Sequence, residues 1–327
     1  MLLSELSRGQ RFLLFLGRNW VVFFLLFLCV LFSFTGTGFF SPKTLNNILI
    51  TSSPALLLAA GETFVIITGG IDLSVGFVRG LISVISAIII RDLYAAGYSP
   101  YIAIFWGMVV GIGIGLLPGL VNGILVAKFR VPPFIATLGI YGVANGFALR
   151  FSQGFPITFL PPEVGKIGNG FVAYFLPGKG YSFFKKPVGI LPEDMRNLIG
   201  IAPFAFLIAL LFILVFAFIL SRTPFGQHTY AIGGNIDAAR RAGIPVDRHL
   251  IKVYMISSFF AALGGVMYTL RFVTGRADAG AARMLDSIAA VVIGGASLYG
   301  GTGNMIGSLI GTLIIGVLET GMVNLGL

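Results

Sequence analysis

Few residues in this chain have a type and spacing that could do chemistry, and the best placed of them suit docking better than bond-breaking. The polar stretch 223–252 holds Asp237-Ala238-Ala239-Arg240-Arg241-Ala242-Gly243 between two hydrophobic runs. Small residues let a partner approach a helical backbone closely, Asn235 or Asp237 is placed to cap the helix start, and Gly243 can end it in a left-handed conformation. The expectation is a short helix exposing Ala238 and Ala239 to a cleft in a partner; an ordinary amphipathic loop helix is the plainer reading of the same spacing. Enzyme signatures are lacking. The fragment Gly178-Lys179 has neither the leading glycine nor the following hydroxyl residue of a phosphate loop. His228 and His249 lack zinc-site spacing, and Cys29, the single cysteine, can form neither an internal disulfide nor a cysteine-pair metal site. No cofactor is expected.

The elements that must position this loop are membrane spans. The 327 residues are 57% hydrophobic and 10% charged, with a mean hydropathy of +0.97, more apolar surface than a soluble domain can hide. The fold class expected is an all-α, polytopic helical bundle built from nine apolar segments: 20–40, 48–68, 73–90, 101–127, 134–149, 202–220, 253–270, a short one at 288–293, and 305–318 with an extension. The run 20–40 is too long for the hydrophobic part of a secretory signal and is read as a retained first helix. The net charge of +10 lies beside apolar runs without an aromatic-interleaved basic surface, so it reads as membrane orientation and no nucleic-acid partner is expected.

Placing Arg8, Arg11 and Arg18 in the cytoplasm puts Lys128, Arg130 and the loop with Arg222, Arg240, Arg241, Arg248 and Lys252 inside. Segment 152–200 then lies outside despite five basic residues; long loops follow the rule weakly. Its prolines predict a partly folded extracytoplasmic cap, with a short surface helix over 193–198. The organisation expected is one transmembrane domain over 1–327, carrying the cap at 152–200 and the cytoplasmic loop at 223–252.

Polar residues within spans are costly and need reasons. Asp72 and Ser74 occupy a glycine-flanked break, Gly69-Gly70-Ile71-Asp72-Leu73-Ser74-Val75-Gly76. Such breaks at membrane depth are tolerated where they are packed in protein or line a watery path. The alternative is a helix cap in which Asp72 or Ser74 satisfies free amides at the start of the next span. Glu62, Arg79 and Glu319 are read as facing the bundle or snorkelling in structural roles, with Arg79 two turns beyond Asp72. Asn122, beyond the small-residue pair Gly115 and Gly119, and Asn145, Gln153 and Asn324 are possible path-lining amides, with interhelical hydrogen bonding as the plainer role. The run starting at Val65, Val-Ile-Ile-Thr-Gly-Gly, echoes Val291-Val292-Ile293-Gly294-Gly295, either as a mark of paired broken helices or as chance in glycine-rich sequence.

Three ordered motifs carry a family resemblance. The stretch from Gly233-Gly234-Asn235 to Gly243-Ile244 resembles the coupling loop of ABC-importer permeases, whose pattern is Glu-Ala-Ala-x-x-x-Gly, here with Asp237 in the acidic place. With the break at 69–76 and the run 287–301, it resembles the ribose/xylose/galactose-type permease family, related to branched-chain amino-acid and nucleoside permeases, over 45–324. The resemblance implies an importer for a monosaccharide, with nucleosides or branched-chain amino acids as alternatives. It implies cytoplasmic ABC ATPase subunits that use ATP and Mg and grip residues 237–243, an extracytoplasmic solute-binding protein, and a second permease subunit, identical or related. Similar permeases continue past Leu327 into one more helix, have a shorter outer segment, and carry small or apolar residues where Arg79 stands. An ion-coupled secondary transporter and an intramembrane enzyme are the readings from other classes; the latter would need paired catalytic residues at membrane depth.

Overall fold

A computed structural model describes residues 8–36, 38–178, 180–186 and 197–326. The chain opens with α1 (Arg8–Arg18) and α2 (Trp20–Thr35), followed by four long helices: α3 (Pro42–Ile67), α4 (Val75–Ala95), α5 (Pro100–Ala127) and α6 (Pro133–Ser152). A small insertion comes next, with α7 (Glu163–Gly168) and strands β1 (Phe171–Leu176), β2 (Gly180–Phe183) and β3 (Ile199–Pro203). The second half holds α8 (Phe204–Arg222), α9 (Pro224–Gly234), α10 (Ile236–Arg241), α11 (Val246–Phe272), α12 (Arg283–Ile293) and α13 (Met305–Asn324).

Local sequence sets several helix starts. Ser41-Pro42, Ser99-Pro100 and Thr223-Pro224 each place a hydroxyl that accepts a backbone N–H of the first turn, followed by a proline whose missing N–H is not needed there. Asn304 does the same for α13, accepting from the Gly307 amide at 2.6 Å. Each of the nine apolar segments falls on a helix, and six of those helices are long and apolar enough to cross a membrane among the described residues. Helix α4 has 21 residues but carries Arg79, Arg91 and Asp92. The predicted ends differ most at α11, which starts at Val246, seven residues ahead of 253, because its first two turns carry Asp247, Arg248, His249 and Lys252 beyond the apolar band.

The core lies between α3 and α11. Their apolar stretches are 83% and 72% buried, against 17% for α8, whose Leu211, Leu214 and Phe218 face outward as lipid-facing side chains do. Close approach of α5 to α11 depends on glycine: a Cβ on Gly123 would sit 2.6 Å from the Ile251 Cα, and one on Gly119 would collide with the Tyr254 carbonyl. Helix α2 packs on α13 through Val21, Leu28 and Phe32 against Ile314 and Val317.

The predicted cap is more ordered than its prolines suggest. Strands β2-β1-β3 form an antiparallel sheet in which Ala173 faces Phe183 on one side and Ile201 on the other. The signal was present in Phe171-Val172-Ala173-Tyr174-Phe175-Leu176, an aromatic and β-branched run ending at Pro177-Gly178. Asn46 of α3 donates to the Gly200 carbonyl, fastening the sheet to one end of the bundle. Most of the predicted helix at 193–198 lies outside the described residues; Asn197 and Leu198 are not helical. The sheet marks one end of the bundle, and α9 and α10 mark the other.

Candidate functional site

At the α10 end, the segment expected to dock a partner folds as its residues dictate. Asn235 is the cap: its Oδ1 accepts from the Ala238 amide at 2.8 Å. Gly243 adopts φ +83°, and the Gly243 and Ile244 amides donate to Arg240 and Ala239 carbonyls, closing the helix in a Schellman arrangement. Asp237, Ala238, Arg240, Arg241 and Gly243 are exposed. Ala239 corrects the expectation that both alanines face a partner. It is 4% exposed and packs with Ala127, Ile232, Val246 and Leu250, because neighbours on a helix point about 100° apart. Arg240 pairs with Asp247 at 3.4 Å, bracing α10 against α11.

The glycine-flanked break forms the second part. Helix α3 ends with Gly69 at φ +80°, where the Gly69 amide donates to Ile66 and the Gly70 amide to Val65. Helix α12 ends with Gly295 at φ +95°, the Gly295 amide donating to Val292 and the Ala296 amide to Val291. The two helix ends form the same kind of cap, with Val65 matching Val291 and Gly69 matching Gly295, so the Gly-Gly pairs at 69–70 and 294–295 are offset by one residue in the structure.

These three glycine-rich segments meet. The Gly301 amide donates to the Ile67 carbonyl at 2.8 Å, and Gly233 fills the remaining space so closely that a Cβ there would overlap Ile67 O and lie 2.6 Å from Gly301 N. A Cβ on Gly300 would meet Gly233 O at 2.8 Å and Gly69 N at 3.0 Å. The Tyr230 hydroxyl, on α9, donates to Gly303 O at 2.8 Å. The helix leading into α10 therefore touches both helix breaks directly. A cavity of about 400 Å³ opens beside this node, bounded by Gly69, Gly70, Arg130, Arg240, Asp247 and Tyr254.

Deeper in the bundle, Asp72, Ser74 and Asn122 come together and are fully buried. Asp72 Oδ1 accepts from the Ser74 amide at 2.9 Å and the Ser74 hydroxyl at 2.6 Å, while Oδ2 accepts from Ser257 of α11 at 2.8 Å. Asn122 Nδ2 donates to Ser74 Oγ at 3.0 Å, and the Leu73 amide donates to Thr137 Oγ1 of α6 at 3.1 Å. The side-chain cap expected from Asp72 or Ser74 is not made on the first turn of α4, which starts at Val75; Asp72, three residues ahead of it, takes the Ser74 amide in a local turn, and its other oxygen ties α11. Asn145 stands apart, half-buried in the middle of α6. Ser257, next to Ser258, and Thr137 complete the cluster; hydroxyls within apolar helices carried no signal of it in the sequence.

Glu62, also fully buried, accepts the Asp72 amide on Oε2 at 3.5 Å, and no ion pair reaches either carboxylate among the described residues. Arg79 is buried with its guanidinium 5.5 Å from the Tyr268 ring centre, a cation–π contact in place of a salt bridge. Glu319 pairs with Arg283, which also holds Asp286 at 3.2 Å. His249 bonds Thr229 at 2.9 Å, and no His, Cys, Asp and Glu grouping among the described residues could hold a metal ion.

Long apolar helices, two of them ending in glycine-rich breaks beside a short exposed helix at one end, fit a polytopic membrane protein. Residues 44–327 match the family described as branched-chain amino acid transport system / permease component, and the chain belongs to it. It is a multi-pass transmembrane permease subunit of the ABC-importer class. It is 37% identical to the ribose import permease protein RbsC of Bacillus subtilis, over 92% of this chain and 84% of that protein. It is 34% identical to the fructose import permease protein FrcC of Rhizobium meliloti, over 88% and 72%. With the xylose transport system permease protein XylH of Haemophilus influenzae the identity is 30%, over 88% and 84%. No solved structure matches.

Proposed function

We propose that this chain carries a monosaccharide inward as the membrane subunit of an ATP-driven importer, with its N-terminus and the 223–252 loop in the cytoplasm. The orientation is supported by Arg130, Arg222, Arg240, Arg241, Arg248 and Lys252, which belong to the α9–α10 end of the bundle. The sugar is supported by similarity to relatives named for ribose, fructose and xylose. In this reading separate ATPase subunits bind ATP and Mg and take hold of Asp237, Ala238, Arg241 and Gly243. A solute-binding protein docks at the sheet end, and a second permease subunit completes the path.

One observation carries the ATP-driven part: Gly233 is wedged between Ile67 and Gly301. A pull on α10 reaches both helix breaks through backbone contacts with no flexible side chain between. Nucleotide-driven closure of the ATPases then shifts the bundle between outward and inward openings by a rigid-body route. Asp72, Ser74 and Asn122 hold the first break to α5 and α11, so that the break moves with the helices that flank it. Asn145 is the remaining candidate for the path.

Reconstitution of the chain with its ATPase and binding protein in proteoliposomes tests this, using labelled ribose, fructose, xylose and leucine. ATP-dependent sugar uptake that persists in the presence of a protonophore is the expected result. Uptake of leucine alone would transfer the chain to the amino-acid branch that its family description names. Uptake without ATPase that collapses with the ion gradient would make it a secondary transporter.

A further inference from the structure

Between α11 and α12 the chain from 273 to 282 is not helical, and it does not leave the bundle. It descends along α4 in register. A Cβ on Gly275 would lie 2.6 Å from the Ala87 Cβ and 2.7 Å from Ser83 O, Ala277 O lies against Gly80, and a Cβ on Gly76 would meet Gly280 O at 2.6 Å. The Arg276 amide donates to Ser83 Oγ at 3.1 Å. From Ala87 to Gly76 is eleven residues of α4, a drop of about 16 Å. The upper end is anchored at the sheet end, where Ile157 and Gly275 exchange backbone hydrogen bonds of 2.8 and 3.0 Å. The lower end reaches the level of the Asp72 cluster, since Gly76 follows Ser74 directly.

Irregular backbone at this depth requires either burial in protein or contact with a watery path. The side chains decide between these. Arg276 donates to Asp278 through Nε at 2.9 Å and Nη2 at 2.7 Å, and the two side chains are 48% and 63% exposed. An exposed ion pair within the lipid layer is strongly unfavourable, whereas the same pair beside a water-filled passage is not. Just below, Arg283 with Asp286 and Glu319 is also partly exposed, at 30 to 37%.

We propose that residues 274–282 line the translocation path and that the Arg276–Asp278 pair contacts the hydroxyl groups of the passing solute. Each partner neutralises the other, so the pair has no net charge with which to hold an ion. Arg276 keeps Nη1 free as a donor and Asp278 keeps free lone pairs as acceptors, a donor-acceptor edge that matches neighbouring hydroxyls of a sugar. A zwitterionic amino acid could set its carboxylate on Nη1 and its ammonium on Asp278, so leucine is the comparison that tests the solute class. A neutral polyol uses what remains and leaves the pair intact. This role rests on the monosaccharide reading above.

The test uses the assembled importer in a Cys29→Ser background. Ala279→Cys and Ala282→Cys are treated with a membrane-impermeant charged thiol reagent, with Phe218→Cys on α8 as the lipid-facing comparison. Both path positions should be labelled, at least tenfold faster than 218, and the transported sugar at saturation should slow their labelling while leucine does not. Asp278→Asn should raise the KM for sugar uptake about tenfold or more, and Arg276→Lys should fall between it and wild type. Labelling as slow as at 218, or a wild-type KM in Asp278→Asn, overturns the proposal while wild-type sugar uptake keeps the broader reading intact. If Asp278→Asn does not assemble, labelling and its protection by sugar decide alone. A wild-type importer that moves none of the three sugars overturns the monosaccharide reading and the solute class proposed here together.

Discussion

The amide of Gly301 donates a 2.8 Å hydrogen bond to the carbonyl of Ile67, joining the loop after α12 to the last turn of α3. Gly233 closes against both from α9, leaving no space for a side chain. The helix leading into α10 and the two helix breaks therefore pack backbone to backbone.

Gly233 and Gly234 form a matched pair of tests. A methyl on Gly233 overlaps Ile67 O, whereas one on Gly234 meets nothing within 4 Å. Gly233→Ala is expected to cut ATP-coupled uptake by roughly tenfold or more through a displaced backbone contact, and Gly234→Ala to leave it near wild type. Uptake and ATP hydrolysis by the reconstituted complex read both; equal uptake by the two variants would remove the node from the coupling route.

Gly243 has φ +83° and open space around its missing side chain, so Gly243→Val meets strain without collision. The left-handed conformation costs an ordinary residue about 1–2 kcal/mol, more for a β-branched one. Membrane insertion should be unchanged, and ATP hydrolysis should lose its link to uptake. Full transport by this variant would sink the placing of the ATPase at α10.

Ala238 and Ala239 separate docking from packing. Ala239→Leu overfills a buried site and should destabilise the protein by about 1–3 kcal/mol, visible as a lower Tm in detergent. Ala238→Leu, at an exposed position, should leave Tm unchanged and reduce co-purification with the ATPase. The reverse pattern would mean that α10 presents its other face.

Ser257→Ala removes the only cross-helix donor to Asp72 among the described residues. Leaving a buried carboxylate oxygen unsatisfied costs about 1–3 kcal/mol or more, so Tm should fall. Combining it with Asp72→Asn should give less than the sum of the two losses, because both act on one hydrogen bond. Strict additivity would show that the contact carries no energy.

Much of the fold was legible because lipid imposes a simple rule on sequence. A helix that crosses hydrocarbon must be apolar along its length, and each such run in this chain lies on a helix. Capping was equally local: Asn235, Ser41-Pro42 and Gly243 act on amides within a few residues of themselves. The sheet over 171–203 was missed because six prolines across 152–200 argued against long helices without arguing for strands.

The site was legible in its parts and not in its assembly. Gly-Gly at 69, 233, 294 and 300 announced backbone that needs room. Arg276 and Asp278 passed unremarked between two apolar runs, since a charged, glycine-flanked gap reads as a surface loop until its packing along α4 is seen.

The residue order by itself determined that this is a helical membrane permease with a short exposed helix at 236–241, because hydropathy, capping and short motifs act over one or two turns. Only the tertiary structure decided that Ala239 faces inward, that Asp72 belongs with Ser257 and Asn122, and that Gly233, Ile67 and Gly301 touch. Those facts depend on which helices lie side by side, and in a bundle that choice is made by shape: a glycine on one helix admits the backbone of another far along the chain, and no periodicity in either records the pairing.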